Sequence, residues 1–367
     1  MIWKLANPQL RALAVYEPGQ PIEETASKLG VHPDSIIKLA SNENPLGASP
    51  KAIEAMRAAL ENAPLYPDGG SFYLREALAT RLGFAPENII LGNGSNEVIE
   101  FLGHAFLHRG DDVITSEYAF IAYKLIATLF GACTIEAPSS DYQQDLEAML
   151  DAITPKTRVI FIANPNNPTG ALISQGKIDT FMSRLPENII VVFDEAYFEF
   201  LDNPPDTLQY VREDRNIVVL RTFSKIHGLA GLRIGYGVAR SSLIAVLDKT
   251  RQPFNVNSIA HAGALAAFKD EAHQHETKRV VDEGRAYFQE QFAAMKLHFL
   301  PGAANFVMVN VGDGAAVFQK LLARKIIVRP LKSYQLPEWV RISVGTMEQN
   351  KQCIAALKEI FPKHRQV

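Results

Sequence analysis

The chain has 367 residues, 47% of them hydrophobic and 21% charged, which suits a globular protein of two domains with a real core. Its formal net charge of -3 argues against a basic nucleic-acid surface. Two distant cysteines without metal spacing (Cys133, Cys353), no apolar h-region at the start and no membrane-length apolar run make a cytoplasmic protein the expectation.

Residues 1 to about 35 read as an arm, with a turn at Tyr16-Glu17-Pro18-Gly19 and a short helix around Ile22 to Leu29. The polar loop Ser41-Asn42-Glu43-Asn44-Pro45 follows, and then Ser49 and Pro50 start a helix as cap and first turn. A second loop, Tyr66-Pro67-Asp68-Gly69-Gly70, precedes a helix over 71–82. From Asn88 onward strands and helices alternate, which predicts an α/β domain with a mostly parallel sheet sandwiched by helices. The predicted strands are 89–91, 113–114, 134–135, 159–163, 189–193 and 217–220, several of them bare apolar runs suited to burial on both faces. Beyond residue 250 a charged helical tract over 257–296 leads into short strands and helices, predicting a smaller α+β domain. The expected division is an arm over 1–40 associated with the small domain, a large domain over 41–250 and a small one over 251–367. Thr346 and Gln349 form a capping box for the last helix.

Polar residues follow four of the apolar runs: Gly94-Ser95-Asn96, Asn164 to Asn167, Asp194, and Ser224-Lys225. Ligands of open α/β sheets bind at the carboxyl ends of strands, so one site can gather all four. Lys225 suits an amine nucleophile toward a carbonyl. Ser224 and Arg233 beside it are partners a phosphate would want. A lysine forming a Schiff base next to a phosphate site suggests pyridoxal phosphate. Gly94-Ser95-Asn96 at a helix start offers amides and a hydroxyl to an anion, although a turn plus cap would look the same. It is neither a Walker A loop nor a dinucleotide fingerprint, since Glu97 stands where the third glycine would be. Asp194 is placed to pair with a protonated pyridine nitrogen, and Tyr197 and Asn167 to bond the ring's phenolic oxygen. No cluster of metal ligands competes with that assignment.

The motifs YEPGQP, LASNENPLG, YPDGG, LGNGSNEVIE, ANPNNPTG, FDEAYFEF, RTFSKIHGLAGLRIGYG and VRISVGT, in that order, resemble those of the fold-type I pyridoxal-phosphate aminotransferases. Within that family the resemblance is to the histidinol-phosphate aminotransferase branch, over nearly the whole chain. It implies that Lys225 carries the cofactor and shuttles a proton, with Asp194 on the pyridine nitrogen and Asn167 and Tyr197 on the phenolic oxygen. Gly94, Ser95, Asn96, Ser224 and Arg233 would cradle the phosphate, with Tyr66 reaching in from the partner of a homodimer. Phe120 would stack on the ring, with Tyr118 as the alternative. Arg341 would grip a substrate carboxylate and Arg329 the substrate's other anionic end, with Tyr16 and Asn305 as substrate neighbours. His227 reads as a packing histidine rather than a base. Transamination between histidinol phosphate and 2-oxoglutarate is the implied reaction. Aromatic amino-acid transamination and, less so, threonine-phosphate decarboxylation share the same motifs.

Overall fold

A computed structural model describes residues 2–13, 15 and 19–362. At its centre is a seven-stranded sheet in the order Ile89–Gly92, Gly235–Ala239, Ile217–Thr222, Ile190–Asp194, Thr157–Ala163, Asp112–Ser116, Cys133–Ala137. Six strands run one way, and only Gly235–Ala239 is antiparallel to its neighbours. Alternate residues of the strands bury into opposite layers, which explains why these runs are apolar throughout. Ile89, Leu91, Ile160, Val191 and Val219 pack on one face with Leu74, Phe181 and Ala264 from helices Phe72–Leu82, Gln175–Arg184 and Ser258–Lys269. Ile90, Val113, Val159, Val192 and Val218 pack on the other with Val98, Tyr123 and Leu243 from helices Ser95–Phe106, Ile121–Leu129 and Ser241–Asp248.

The antiparallel strand went unpredicted because its two glycines, Gly235 and Gly237, depress strand propensity. Packing accounts for Gly235: a Cβ there would lie 2.3 Å from the Ser95 backbone nitrogen. The long helical tract is two helices, Ser258–Lys269 and Glu271–Ala294, interrupted at buried Asp270. The first of them shares the core of the larger body. We therefore propose the division between domains near residue 270 rather than at 250.

The smaller body is an antiparallel sheet in the order Phe299–Leu300, Phe306–Asn310, Leu336–Ser343, Arg329–Leu331. Val281, Phe288 and Phe292 of helix Glu271–Ala294 and Ile354 and Leu357 of helix Met347–Ile360 cover it. The predicted capping box of Thr346 and Gln349 starts the latter helix. Ile37–Lys38 pairs in parallel with Ile326–Ile327, joining the end of the arm to this body. The chain then crosses between the bodies as a strap over residues 39–44. No helix among the described residues is long and apolar enough to cross a membrane.

Candidate active site

The carboxyl ends of the parallel strands and the strap enclose a cavity of about 310 Å³. It is lined by Gly94, Ser95, Asn96, Phe120, Asn167, Asp194, Tyr197, Ser224, Lys225, Arg233, Arg329 and Arg341. All of these were expected from the sequence. Phe120, and not its alternative Tyr118, is the aromatic on the wall; Tyr118 packs against Tyr142 with ring centroids 5.7 Å apart.

Two expected residues lie elsewhere. Tyr66 is 84% exposed and stacks on Phe254, ring centroids 4.8 Å apart, outside this chain's own cavity. Asn305, expected beside the substrate, is a correction: it is fully buried below the wall and donates to the Asn42 carbonyl at 3.0 Å. The strap lies between it and the cavity. Tyr16 lies outside the described residues, as does most of the turn predicted around it.

Helix Ser95–Phe106 opens into the cavity from Gly94, whose φ of 82° only glycine adopts readily. A Cβ at Gly94 would sit 2.6 Å from Nη2 of Arg233, so the guanidinium reaches the helix N-terminus only because no side chain is there. Glu97 does not block this: its Oε2 accepts the Asn93 N–H at 2.6 Å and the Asn255 amide at 2.6 Å, closing the turn. Free helix amides, the Ser95 hydroxyl, Ser224 and Arg233 make an anion cradle at one end of the cavity.

Asp194 ends the strand Ile190–Asp194 and is buried. Its Oδ2 accepts from the Tyr123 hydroxyl at 2.7 Å and its Oδ1 from the Ala196 N–H at 3.2 Å. Burial raises the Asp194 pKa, against those two hydrogen bonds and the Lys225 charge. A cationic ring nitrogen at this carboxylate would offset that cost. Tyr123 received no role from the sequence. The signal was present: it follows Phe120 by three positions, one helical turn, in a helix whose other polar residues are Lys124 and Thr128.

Lys225 Nζ donates to the Ser41 carbonyl at 3.2 Å. Burial, reinforced by the Arg341 guanidinium, pushes its amine down to about 8, so roughly a tenth of it is neutral at pH 7, far more than for a solvated lysine. The Tyr197 hydroxyl is pushed up to about 12 by burial and stays protonated. Arg341 donates through Nη1 to Asn167 Oδ1 and through Nη2 to the Ala40 carbonyl at 2.8 Å. His227 is buried, lies between Phe223 and Phe268 and is pushed down to about 3, leaving it neutral and off the cavity wall. Thr222 and Tyr334 also line the cavity without having been foreseen. No group of three metal-ligating side chains occurs among the described residues.

A lysine, a buried carboxylate, a helix N-terminus and the arginines Arg233, Arg329 and Arg341 line one cavity, an arrangement suited to covalent chemistry on anionic amine or carbonyl substrates. The family model described as aminotransferase class I and II matches residues 34–357. The chain belongs to that family. It is 49% identical over 361 residues to a histidinol-phosphate aminotransferase of Akkermansia muciniphila, covering 98% of this chain and 99% of that one. A histidinol-phosphate aminotransferase of Moorella thermoacetica is 44% identical, covering 94% and 90%. Among solved structures, the histidinol-phosphate aminotransferase of Sinorhizobium meliloti in complex with pyridoxal-5'-phosphate superposes with a TM-score of 0.88 at 28% identity, covering 97% of each chain.

Proposed function

We propose that this protein is a pyridoxal-phosphate-dependent transaminase that interconverts histidinol phosphate and imidazole acetol phosphate, with glutamate and 2-oxoglutarate as the other pair. The observation that carries this reading is the convergence of Lys225, Asp194, Arg329 and Arg341 on one cavity. Relatives bearing that activity in their names, matched over nearly the full chain, support the choice of substrate.

The residues present fit the cofactor. Gly94 and Gly235 leave the space a phosphate cradle needs, and Asp194 is a buried carboxylate that a protonated ring nitrogen would satisfy. When bound, pyridoxal phosphate supplies a carbonyl for the lysine amine and a cationic ring that takes up the electron pair released at the substrate's α-carbon. Ser95, Asn96, Ser224 and Arg233 would hold its phosphate, Phe120 would cover one ring face, and Asn167 and Tyr197 would donate to its phenolic oxygen. Asp194, its carboxylate oriented by the Tyr123 hydroxyl, would keep the ring nitrogen protonated. Lys225 would hold the cofactor at rest and, once displaced by the substrate amine, would take the α-proton on Nζ, which its lowered proton affinity suits. Arg341 binds the carboxylate of glutamate, and a guanidinium fork serves a phosphate ester equally well, so one site accepts both substrates.

The protein acts as a homodimer in the cytoplasm in this reading. Exposed Tyr66, with Leu65, Phe72 and Tyr73 near it, forms an aromatic surface suited to a second copy, where Tyr66 would reach the partner's phosphate cradle. Mixed dimers of Tyr66→Ala and Lys225→Ala chains should regain one intact site per dimer, and no regain of activity would remove Tyr66 from the site.

Absorbance-followed half-reactions test the substrate. The lysine-bound cofactor band should disappear rapidly with low concentrations of histidinol phosphate and far more slowly with phenylalanine or tyrosine. The reverse order would make this an aromatic amino-acid transaminase. Absence of the band in the loaded protein would remove Lys225 from its role.

A further inference from the structure

Asn42 lines the cavity, is almost wholly buried and has a left-handed backbone, φ 55°, a conformation that asparagine tolerates better than most residues. Its side chain closes a small ring of directional hydrogen bonds. The Ser343 Oγ accepts the Asn42 backbone N–H at 2.8 Å, and the Ser343 hydroxyl donates to Asn42 Oδ1 at 2.8 Å. With Oδ1 turned to Ser343, the amide presents its NH2 to Tyr197, and Nδ2 donates to the phenol oxygen at 2.9 Å. Asn305 holds the strap in place from below through the Asn42 carbonyl. Ser343 and Arg341 stand two apart on one strand and so share a face.

The consequence concerns one proton. A tyrosine hydroxyl has a single proton and two acceptor sites. Tyr197 uses an acceptor site toward Asn42, so its proton is available to a partner in the cavity that Tyr197 lines. Reversal of the Asn42 amide would turn a carbonyl oxygen to Tyr197 and take that proton instead. Reversal would also withdraw Oδ1 from the Ser343 hydroxyl, which donates to it while its oxygen accepts the Asn42 N–H.

We propose that Asn42, braced by Ser343, is a positioning residue that directs the Tyr197 proton to the cofactor's phenolic oxygen and so sets the acidity of the lysine–cofactor linkage. This rests on the proposed roles of Lys225 and Tyr197. A phenol that donates to the phenolic oxygen competes with the protonated nitrogen of the linkage for that same oxygen. It therefore favours loss of the nitrogen's proton and lowers the pH at which the visible band changes colour.

The test is a pH titration of that band in the loaded enzyme, without substrate, for wild type, Asn42→Gly, Asn42→Asp, Tyr197→Phe and Asn42→Gly/Tyr197→Phe. Glycine accepts the left-handed backbone and removes the amide without adding charge. Aspartate keeps the shape but offers only acceptors. Tyr197→Phe should raise the midpoint by roughly one pH unit, the equivalent of one charge-assisted hydrogen bond. Asn42→Gly should raise it by a smaller amount and Asn42→Asp by at least as much. In the Tyr197→Phe background Asn42→Gly should have no further effect, because the pathway through the phenol is already gone. An unmoved midpoint in Asn42→Gly with the band intact overturns the inference, as does an equal shift with and without the phenol. Should Asn42→Gly fail to fold, Asn42→Asp carries the same comparison, and its shift must shrink in the Tyr197→Phe background. A wild-type protein with no band would overturn the role of Lys225 and this inference with it, an outcome distinct from a present but unmoved band.

Discussion

Arg341, on the four-stranded antiparallel sheet, donates through Nη1 to Oδ1 of Asn167, in the loop after strand Thr157–Ala163 of the seven-stranded one. A guanidinium can only donate, so Asn167 must turn its oxygen to Arg341 and its NH2 away from it. The same arginine's Nη2 reaches the Ala40 carbonyl at 2.8 Å, which fixes the fork across strap and sheet. Arg341→Lys keeps the charge and loses the fork. We expect kcat/KM for glutamate to fall on the order of 100-fold, the equivalent of two to three kcal/mol of charge-assisted hydrogen bonding. Steady-state kinetics with varied glutamate would check this, and a fall under about threefold would mean that the carboxylate binds elsewhere.

Lys225 should destabilise the cofactor-free protein at neutral pH. Its proton affinity falls from 10.5 to about 8 on folding, because burial disfavours the ammonium and Arg341 repels it. The cost is fully present below pH 8 and fades as pH rises toward 10.5, where the unfolded chain also gives up its proton. Lys225→Met should therefore stabilise the cofactor-free protein at pH 7 by about 3 kcal/mol, read as a higher melting temperature, with the gain shrinking toward pH 10. A gain that grows with pH would contradict this account.

Gly228 lies against the turn at Gly47, just beyond the strap. Its φ is 70°, and a Cβ there would stand 2.1 Å from the Gly47 carbonyl oxygen, a backbone atom that cannot turn aside. Gly228→Ala should cost about 3 kcal/mol or more in a urea titration, from clash and left-handed strain together. Gly231→Ala serves as the comparison, since nothing lies within 4 Å of its Cβ and its φ is not positive. It should leave the midpoint nearly unchanged.

Glu199 has a buried Oε2 with no hydrogen-bond partner among the described residues, while the nearby Arg221 is ion-paired to Glu195 at 2.9 Å. Burial pushes the Glu199 carboxyl from 4.5 up to about 7, with Arg221 opposing the shift. The folded protein then holds a proton that the unfolded chain releases, so stability falls as pH rises from 4.5 through 7. Glu199→Gln should flatten that part of the pH–stability curve and gain on the order of 2 kcal/mol at pH 8. Denaturant midpoints between pH 5 and 8 would show it. A loss at pH 8 would mean that attraction to Arg221 outweighs the cost of burial.

Most of the cavity wall was legible in the sequence because its residues sit in short motifs at strand ends. Gly94-Ser95-Asn96, Asp194 and Ser224-Lys225 each come directly after an apolar run, and a parallel sheet brings such ends to one edge. Tyr123 was harder to see, since its role depends on a carboxylate 71 positions away. Asn305 shows the opposite failure. Its motif is close to the site in sequence pattern, yet the strap it holds stands between it and the cavity.

The pattern of apolar runs was enough to specify a doubly covered parallel sheet, and the spacing of the motifs was enough to assemble the lysine, the carboxylate and the phosphate cradle. Those are local properties, set by side-chain periodicity and by the polar residues at each strand's carboxyl end. Three features depended on the folded chain: the reversed direction of Gly235–Ala239, the end of the large body's core near Asp270, and the orientation of the Asn42 amide. The first two come from packing that no local propensity records, such as the space Ser95 needs beside Gly235. The last depends on a hydroxyl 301 positions distant, because hydrogen-bond direction is fixed by whichever donor and acceptor the fold brings to 2.8 Å.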